Sequence, residues 1–136
     1  MANSSNLVID KDKPIALSIQ SDFASSKLEA KLLSLNGFNV ISTSSVKTGL
    51  ELAANCNFDA VFTGIMLNEN LSGLDLIDQL KNKDSHKETI FVAVTTQTDN
   101  DSRNNIVKHG FDYIIAKPID LIRFKAVCEK IKNQTY

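Results

Sequence analysis

The sequence predicts a three-layer α/β/α protein in which helices cover both faces of a doubly wound, five-stranded parallel sheet. Five short apolar runs alternate with five helical patterns along the chain, which is the order of a parallel sheet with crossover helices. The runs are apolar on successive residues, as in strands buried on both faces. A length of 136 residues and a hydrophobic content of 43% suit one domain with its own core.

The first unit of strand and helix is defined by an apolar run and two helix-end signals. The run Ile15 to Ile19 is the strand, and Asp22 after it is a typical N-cap residue. The helix stops at Asn36-Gly37, because glycine commonly ends a helix. Helical spacing predicts that its buried face carries Ala24, Leu28, Leu32 and Leu35.

The second unit repeats this pattern. Phe38 to Ser42 is a strand, Ser44 or Ser45 caps the next helix, and Phe58 to Thr63 is the third strand. Hydroxyl side chains at the start of a helix are ordinary caps. The inward residues of this second helix are Val46, Leu50, Ala53 and Ala54.

The remaining three helices and two strands follow the same alternation. Ser72-Gly73 opens the third helix, Ile90 to Thr95 is the most hydrophobic strand, and Thr98 to His109 is a polar helix. Tyr113 to Ala116 is the fifth strand, and the last helix begins at about Leu121. Inward residues are Leu76, Ile77 and Leu80 in the third helix, and Phe124, Val127, Cys128 and Ile131 in the last.

The ends of the chain predict a domain boundary. Residues 1–13 are polar and lack periodicity, so we expect a flexible N-terminal tail followed by one domain over residues 14–134. Whether this domain stands alone or belongs to a larger regulator is left open.

Composition excludes several classes of protein. The net charge of −1, with both signs scattered, gives no basic footprint for nucleic acid, and the longest apolar run, Ile90 to Val94, is too short to span a membrane. No secretory signal is present, which favours a cytoplasmic location. We expect Cys56 and Cys128 to be buried thiols, and neither His86 nor His109 has the spacing of a metal site.

A ligand crevice in such a sheet lies at the carboxyl ends of the strands. Those loops are Gln20 to Asp22, Gly64 to Ser72, Thr95-Thr96 and Lys117-Pro118. They contain no nucleophile paired with a base, so the chain is not predicted to be an enzyme. The hydroxyl-rich stretch Ser42 to Gly49 lacks the spaced glycines of a nucleotide loop.

Four stretches of the chain resemble the receiver domain of two-component response regulators. The most specific is Gly110 to Pro118, GFDYIIAKP, which is similar to the GADDYLxKP of that family. The others are LNGFNV at 35–40, FDAVFT at 58–63 and SGLDLI at 72–77. The resemblance covers about residues 14–133 and implies a CheY-like, flavodoxin-like fold with strand order 2-1-3-4-5.

The resemblance also implies where the phosphorylation site of the family would lie. Receivers hold Mg²⁺ with two acids after the first strand and with an aspartate that ends the third strand and accepts a phosphoryl group. Gln20 and Ser21 stand at the acidic pair and Gly64 at the acceptor, so all three carboxylates are missing. Because Mg²⁺ requires charged oxygen ligands, no Mg²⁺ is expected.

Two other signature positions are retained. Thr95 stands where receivers have a switch hydroxyl, and Lys117 where they have a phosphate-contacting lysine. Lys117 either contacts an anion or serves the structure by pairing with Asp22 or capping carbonyls, and Lys117-Pro118 is a candidate cis peptide. Asp22 is a residual acid if the first loop is shifted by one residue, and otherwise an N-cap.

These observations favour a phosphorylation-independent pseudo-receiver that acts as a protein–protein interaction module in two-component signal transduction. The expected partner is a histidine kinase, a phosphotransfer protein of a phosphorelay, an effector domain or a second copy of the chain. The predicted interaction face includes Tyr113, Ile114 and Ile106. The alternatives are a conventional response regulator phosphorylated at Asp22, and a small flavodoxin-like protein that binds an anion or cofactor.

Overall fold

A computed structural model describes residues 10–67, 72–83 and 86–135, and the structural statements below concern these residues. Residues 1–9 of the predicted tail and residues 68–71 of the predicted crevice loop Gly64 to Ser72 lie outside them. Strands and helices alternate along the chain. Their bounds are β1 (Ile15–Ile19), α1 (Phe23–Leu35), β2 (Asn39–Thr43), α2 (Val46–Asn55), β3 (Ala60–Thr63), α3 (Gly73–Lys81), β4 (Ile90–Thr95), α4 (Asn100–Lys108), β5 (Tyr113–Ala116) and α5 (Leu121–Thr135).

The five strands form one parallel sheet in the order β2-β1-β3-β4-β5, which confirms the predicted topology. Ile19 at the end of β1 aligns with Thr43 of β2 and Thr63 of β3, and Thr95 of β4 aligns with Ala116 of β5. The carboxyl ends of the strands therefore meet at one edge of the sheet.

Two apolar clusters separate the sheet from its helices. One cluster lies under α2, α3 and α4, and the other lies under α1 and α5, as the predicted topology requires. In the second cluster the Phe62 ring centroid lies 6.2 Å from that of Phe38 and 5.7 Å from that of Phe124. Because each face is covered by helices, all of β3 and β4 is buried.

Side-chain caps begin all five described helices. The capping residues, each accepting a hydrogen bond from a backbone N–H in the first turn that follows, are Asp22, Ser45, Ser72, Asp99 and Asp120. The fourth helix starts at Asn100, two residues later than predicted, because Asp99 is its cap.

Two glycines end helical segments in the left-handed region. The φ angle is +91° at Gly37, after α1, and +108° at Gly110, after α4. A side chain at either position would be strained, which explains why glycine stops both helices.

The predicted buried face of α1 is wrong. Ala24, Leu28 and Leu35 are exposed and Leu32 is half-buried, whereas the buried residues are Ser26, Glu29 and Leu33. The spacing of the buried set, i, i+3 and i+7, is as helical as that of the predicted one. The helix is therefore rotated, so that a carboxylate faces the sheet.

Two smaller features differ from the sequence prediction. Cys128 is buried in the α5 side of the core as predicted, but Cys56 is exposed because it lies at the C-cap of α2, beyond the packed face of that helix. Both thiols are free. Asn39 hydrogen-bonds the backbone of Asp10 and Lys13, so described contacts begin before the predicted boundary at residue 14.

Candidate functional site

The strand ends bring the predicted site positions together in a small crevice. Gln20 follows β1, Gly64 follows β3, Thr95 ends β4 and Lys117 follows β5. These four residues line a cavity of about 60 Å³ together with Ile65, Met66, Val94 and Thr96. Four of the predicted site positions therefore lie together at the carboxyl ends of the strands.

The first loop contributes no carboxylate to this crevice. Gln20 is buried and its amide nitrogen donates to the carbonyl of Val94 at 3.4 Å, while Ser21 is half-exposed. The carboxylate of Asp22 accepts from the Ser25 N–H at 2.9 Å, which is the N-cap bond of α1. This bond, then the side chain of Ser25 and then the charge of Lys117 keep the pKa of Asp22 below its ordinary value.

Gly64 and Gln20 are complementary in shape. A Cβ atom placed on Gly64 would lie 2.6 Å from Oε1 of Gln20, which is closer than real Cβ contacts allow. The Gln20 amide therefore occupies the space in front of Gly64. A side chain at position 64 requires Gln20 to move.

Thr95 and Lys117 are held by contacts within the protein. The Thr95 hydroxyl is almost fully buried and accepts from the Gln97 N–H at 3.0 Å. The Lys117 ammonium donates to Oγ of Ser25 on α1 at 3.1 Å, and the Lys117-Pro118 peptide is cis. Lys117 thus ties the loop after β5 to the start of α1.

The residues at the crevice do not fit Mg²⁺. Gln20 offers a neutral amide that is already bonded, Ser21 offers a hydroxyl, and Gly64 offers no side chain. Mg²⁺ binds oxygen ligands that usually include one or two carboxylates. Among the described residues no group of three or more His, Cys, Asp or Glu side chains is arranged to hold a metal ion.

Glu29 is a buried carboxylate beside this crevice that the sequence analysis missed. It lies on the face of α1 that packs against the sheet, and none of it is exposed. Within the part of the chain that the structure describes, neither of its carboxylate oxygens has a hydrogen-bond partner. The signal in the sequence was weak, because the neighbouring Leu28 fits an equally periodic apolar stripe.

Burial raises the pKa of Glu29 to about 7 from an ordinary value of 4.5. The Gln20 amide and the Lys117 charge oppose this rise. The Gln20 amide does so from nearby, without a hydrogen bond of good geometry to either carboxylate oxygen. Desolvation is therefore the dominant effect on this carboxyl group.

Two of the three residues predicted for the interaction face are buried, so that prediction is wrong for them. Ile106 is 1% exposed on the inner side of α4, and Ile114 is 8% exposed on the α3 and α4 side of β5, so both belong to the core. Alternation along β5 places Tyr113 on the opposite side, half-buried, with its hydroxyl accepting from Gln134 at 3.3 Å. Of the three residues, Tyr113 alone reaches the surface.

Large exposed apolar side chains lie instead in the segments that follow the carboxyl ends of the strands. We name Phe23, Met66, Leu121 and Ile122 the apolar rim, and their exposed fractions are 70%, 71%, 62% and 83%. All four follow the carboxyl ends of strands, at the crevice edge of the sheet. The Lys117 bond to Ser25 ties the loop that leads into α5 to the first turn of α1.

The alternative sites suggested by the sequence have structural roles. Ser45 caps α2 by accepting from the Thr48 N–H at 3.1 Å, so the hydroxyl-rich stretch is a helix start. His86 is buried against the carbonyl of Ala53 at 2.6 Å, and His109 bonds Asp78 at 2.9 Å. None of these side chains lines the crevice.

Asp59 is also excluded as a replacement acid. It precedes β3, and its carboxylate accepts from the Ile15 N–H at 2.8 Å, at the amino ends of the strands. The crevice lies at the opposite edge of the sheet, so Asp59 has a structural role.

Comparison with known proteins decides the family. The response regulator receiver domain family matches residues 16–129. The chain belongs to the response regulator receiver family. Receivers are signalling modules and not enzymes, and this receiver carries the strand order and crevice of that fold.

Individual relatives agree with this assignment. The receiver is 31% identical over 98 residues to the polar-differentiation response regulator DivK of Brucella ovis, covering 72% of this chain and 79% of the relative. The chemotaxis response regulator CheY4 of Vibrio cholerae superposes with a TM-score of 0.80 at 14% identity, covering 88% of this chain and 98% of that chain.

A third solved structure has the same fold. The receiver domain of the sensor histidine kinase PA1611 from Pseudomonas aeruginosa superposes with a TM-score of 0.80 at 15% identity, covering 89% of this chain and 98% of that chain. That protein coordinates a magnesium ion in its active-site cleft. At this low identity the likeness shows the fold alone.

In this receiver, no described helix is both long and apolar enough to serve as a membrane span.

Proposed function

We propose that this receiver is an atypical, phosphorylation-independent member of its family that acts in the cytoplasm as a protein–protein interaction module of two-component signalling. The observation that carries the proposal is Gly64 at the acceptor position, with the Gln20 amide packed against it. A glycine has no atom that can accept a phosphoryl group. Gly64 and Gln20 also lack the carboxylates that would hold Mg²⁺ at these positions.

The receiver fold is intact although the residues that phosphorylation requires are missing. This combination favours protein binding as the retained function. The sheet, its caps and its two apolar clusters are complete. A switch driven by phosphorylation needs a phosphoryl group that distinguishes two states, and none can be attached at Gly64. Recognition therefore rests on a surface that exists without modification.

The apolar rim is the surface we propose for docking. Its four large side chains are exposed at the edge where receivers carry their phosphorylation site. The Lys27 ammonium lies 5.1 Å from the Phe23 ring centroid, which adds a positive charge beside the rim. The partner we propose is a signalling protein, namely a histidine kinase, a phosphotransfer protein or an effector domain, that presents an apolar patch with acidic side chains.

A conventional regulator that uses Asp22 is the weaker candidate. The Asp22 carboxylate is engaged with the Ser25 N–H at the helix start, and among the described residues no acidic side chain, Asp22 included, lines the crevice. Phosphorylation there would remove the N-cap bond of α1, which typically stabilises a protein by about 1 kcal/mol.

Replacing Phe23 and Ile122 by alanine is expected to weaken partner binding at least about tenfold, because exposed anchors at the centre of an interface commonly contribute more than 1 kcal/mol each. The measurement is capture from a native lysate with the purified receiver as bait, followed by a titration of the captured signalling protein against the natural and substituted chains. Acetyl phosphate and Mg²⁺ should leave the affinity of the natural chain unchanged.

Leu35→Ala is the matched control. Leu35 is 71% exposed on the same helix as Phe23, but it lies at the opposite end of α1, away from the crevice. Equal loss of binding in this control, or binding that appears only with a phosphoryl donor, would contradict the proposal. If the receiver captures only a second copy of the chain, self-association takes the place of the proposed signalling partner.

A further inference from the structure

A polar layer lies between β1 and α1, on the side of the sheet that is otherwise apolar. Ser18 is fully buried on the α1 side of β1, and its hydroxyl oxygen has no hydrogen-bond partner among the described residues. Glu29 faces the sheet from α1, and both its carboxylate oxygens are likewise unpartnered within the described ranges. Unpartnered polar atoms inside a protein are costly, so their location within one layer points to a shared role.

The Lys117 ammonium lies at the edge of this layer. It donates to Oγ of Ser25 at 3.1 Å, and Ser25 precedes Glu29 by four residues on the same helix. Side chains at i and i+4 lie on one face, about 5–6 Å apart at their Cβ atoms. The flexible four-carbon stem of lysine spans that separation, so a change of rotamer brings the ammonium towards Glu29.

We propose that Glu29 is a proton-binding site whose occupancy decides whether the Lys117 ammonium bonds to Ser25 or to the Glu29 carboxylate. The proton exchanges with solvent, and no covalent bond other than O–H changes. With the proton bound, Glu29 is neutral and Lys117 stays on Ser25, as observed. With the proton released, the buried charge attracts Lys117 and the loop after β5 follows.

Of the charged groups that the structure describes around Glu29, Lys117 is the one that can act as its counter-ion. The strands β1 and β2 carry no titratable side chain, and α5 faces this cluster with Cys128, whose pKa is raised to about 12 by burial. Lys132 of α5 lies beside Gly37, at the far end of α1. On α1 itself the other charged side chains, Lys27 and Lys31, are exposed, and Asp22 caps the helix.

Nuclear magnetic resonance of the full chain tests this proposal directly. We expect the Glu29 carboxyl carbon to titrate near neutral pH, and the backbone signals of Ser25 and Lys117 to shift with the same midpoint. Glu29→Gln, which is nearly isosteric and stays neutral, should abolish these coupled shifts. Lys117→Met should raise the Glu29 midpoint, because the opposing positive charge is removed.

Glu129→Gln provides the control, since Glu129 is an exposed glutamate on α5. This variant should leave the Ser25 and Lys117 titrations unchanged. A Glu29 midpoint in the ordinary range near 4.5, or coupled shifts that persist in Glu29→Gln, would overturn the proposal. An unchanged Glu29 midpoint in Lys117→Met would overturn the assigned role of Lys117. None of these results depends on the apolar rim.

Discussion

Replacing Gln20, Ser21 and Gly64 together by aspartate is expected to give a receiver that accepts one phosphoryl group from acetyl phosphate in the presence of Mg²⁺. The three carboxylates restore the charged oxygen ligands that the crevice lacks. The restored carboxylate at position 64 attacks phosphorus, and acetate leaves. Thr95 and Lys117 are already in place at the same edge of the sheet. Intact-mass measurement after a timed incubation checks the result.

Gly64→Asp alone serves as the control and should remain unmodified. Its new side chain meets Oε1 of Gln20, and the acidic pair is still absent. If the triple variant folds and stays unmodified, the loss of carboxylates is not what prevents phosphorylation at the crevice. If Gly64→Asp is modified as fast as the triple variant, the Gln20 contact does not block position 64.

Glu29→Gln is expected to stabilise the receiver by about 3 kcal/mol at pH 8 and to leave its stability unchanged at pH 4. The pKa of Glu29 is raised from 4.5 to about 7 on folding, so the folded state holds the proton more tightly than the unfolded state. The free energy of unfolding of the natural chain therefore falls as pH rises from 4.5 to about 7. Glutamine carries no charge at any of these pH values and avoids this loss.

Denaturant unfolding of both chains between pH 4 and pH 8 measures this effect. The difference between the two curves isolates Glu29, because Asp22 and Asp99, whose pKa values are lowered by their capping bonds, titrate equally in both chains. Glu129→Gln should track the natural chain. A constant difference across the pH range would mean that the Glu29 carboxyl group is not perturbed by burial.

Much of the fold follows from local sequence patterns. Apolar runs are strands because both faces of a parallel sheet are covered, and the caps Asp22, Ser45 and Ser72 fix three helix starts. The strand ends then had to meet at one edge, which placed Gln20 and Gly64 in the same crevice.

The rotation of α1 could not be predicted from periodicity. Two stripes, one holding Leu28 and the other Glu29, are equally helical, and the apolar stripe was the natural expectation. Tertiary packing selected the polar one. The same limit applies to Ile106 and Ile114, because the sequence does not say which side of an amphipathic element is covered.

The central claim, that this receiver works without phosphorylation, is tested most directly by the mass of the natural chain after incubation with acetyl phosphate and millimolar Mg²⁺. We predict no added mass, with the triple aspartate variant as the positive control in the same experiment. Gain of one phosphoryl group by the natural chain, mapped by peptide sequencing to Asp22, would contradict the account and support a conventional regulator.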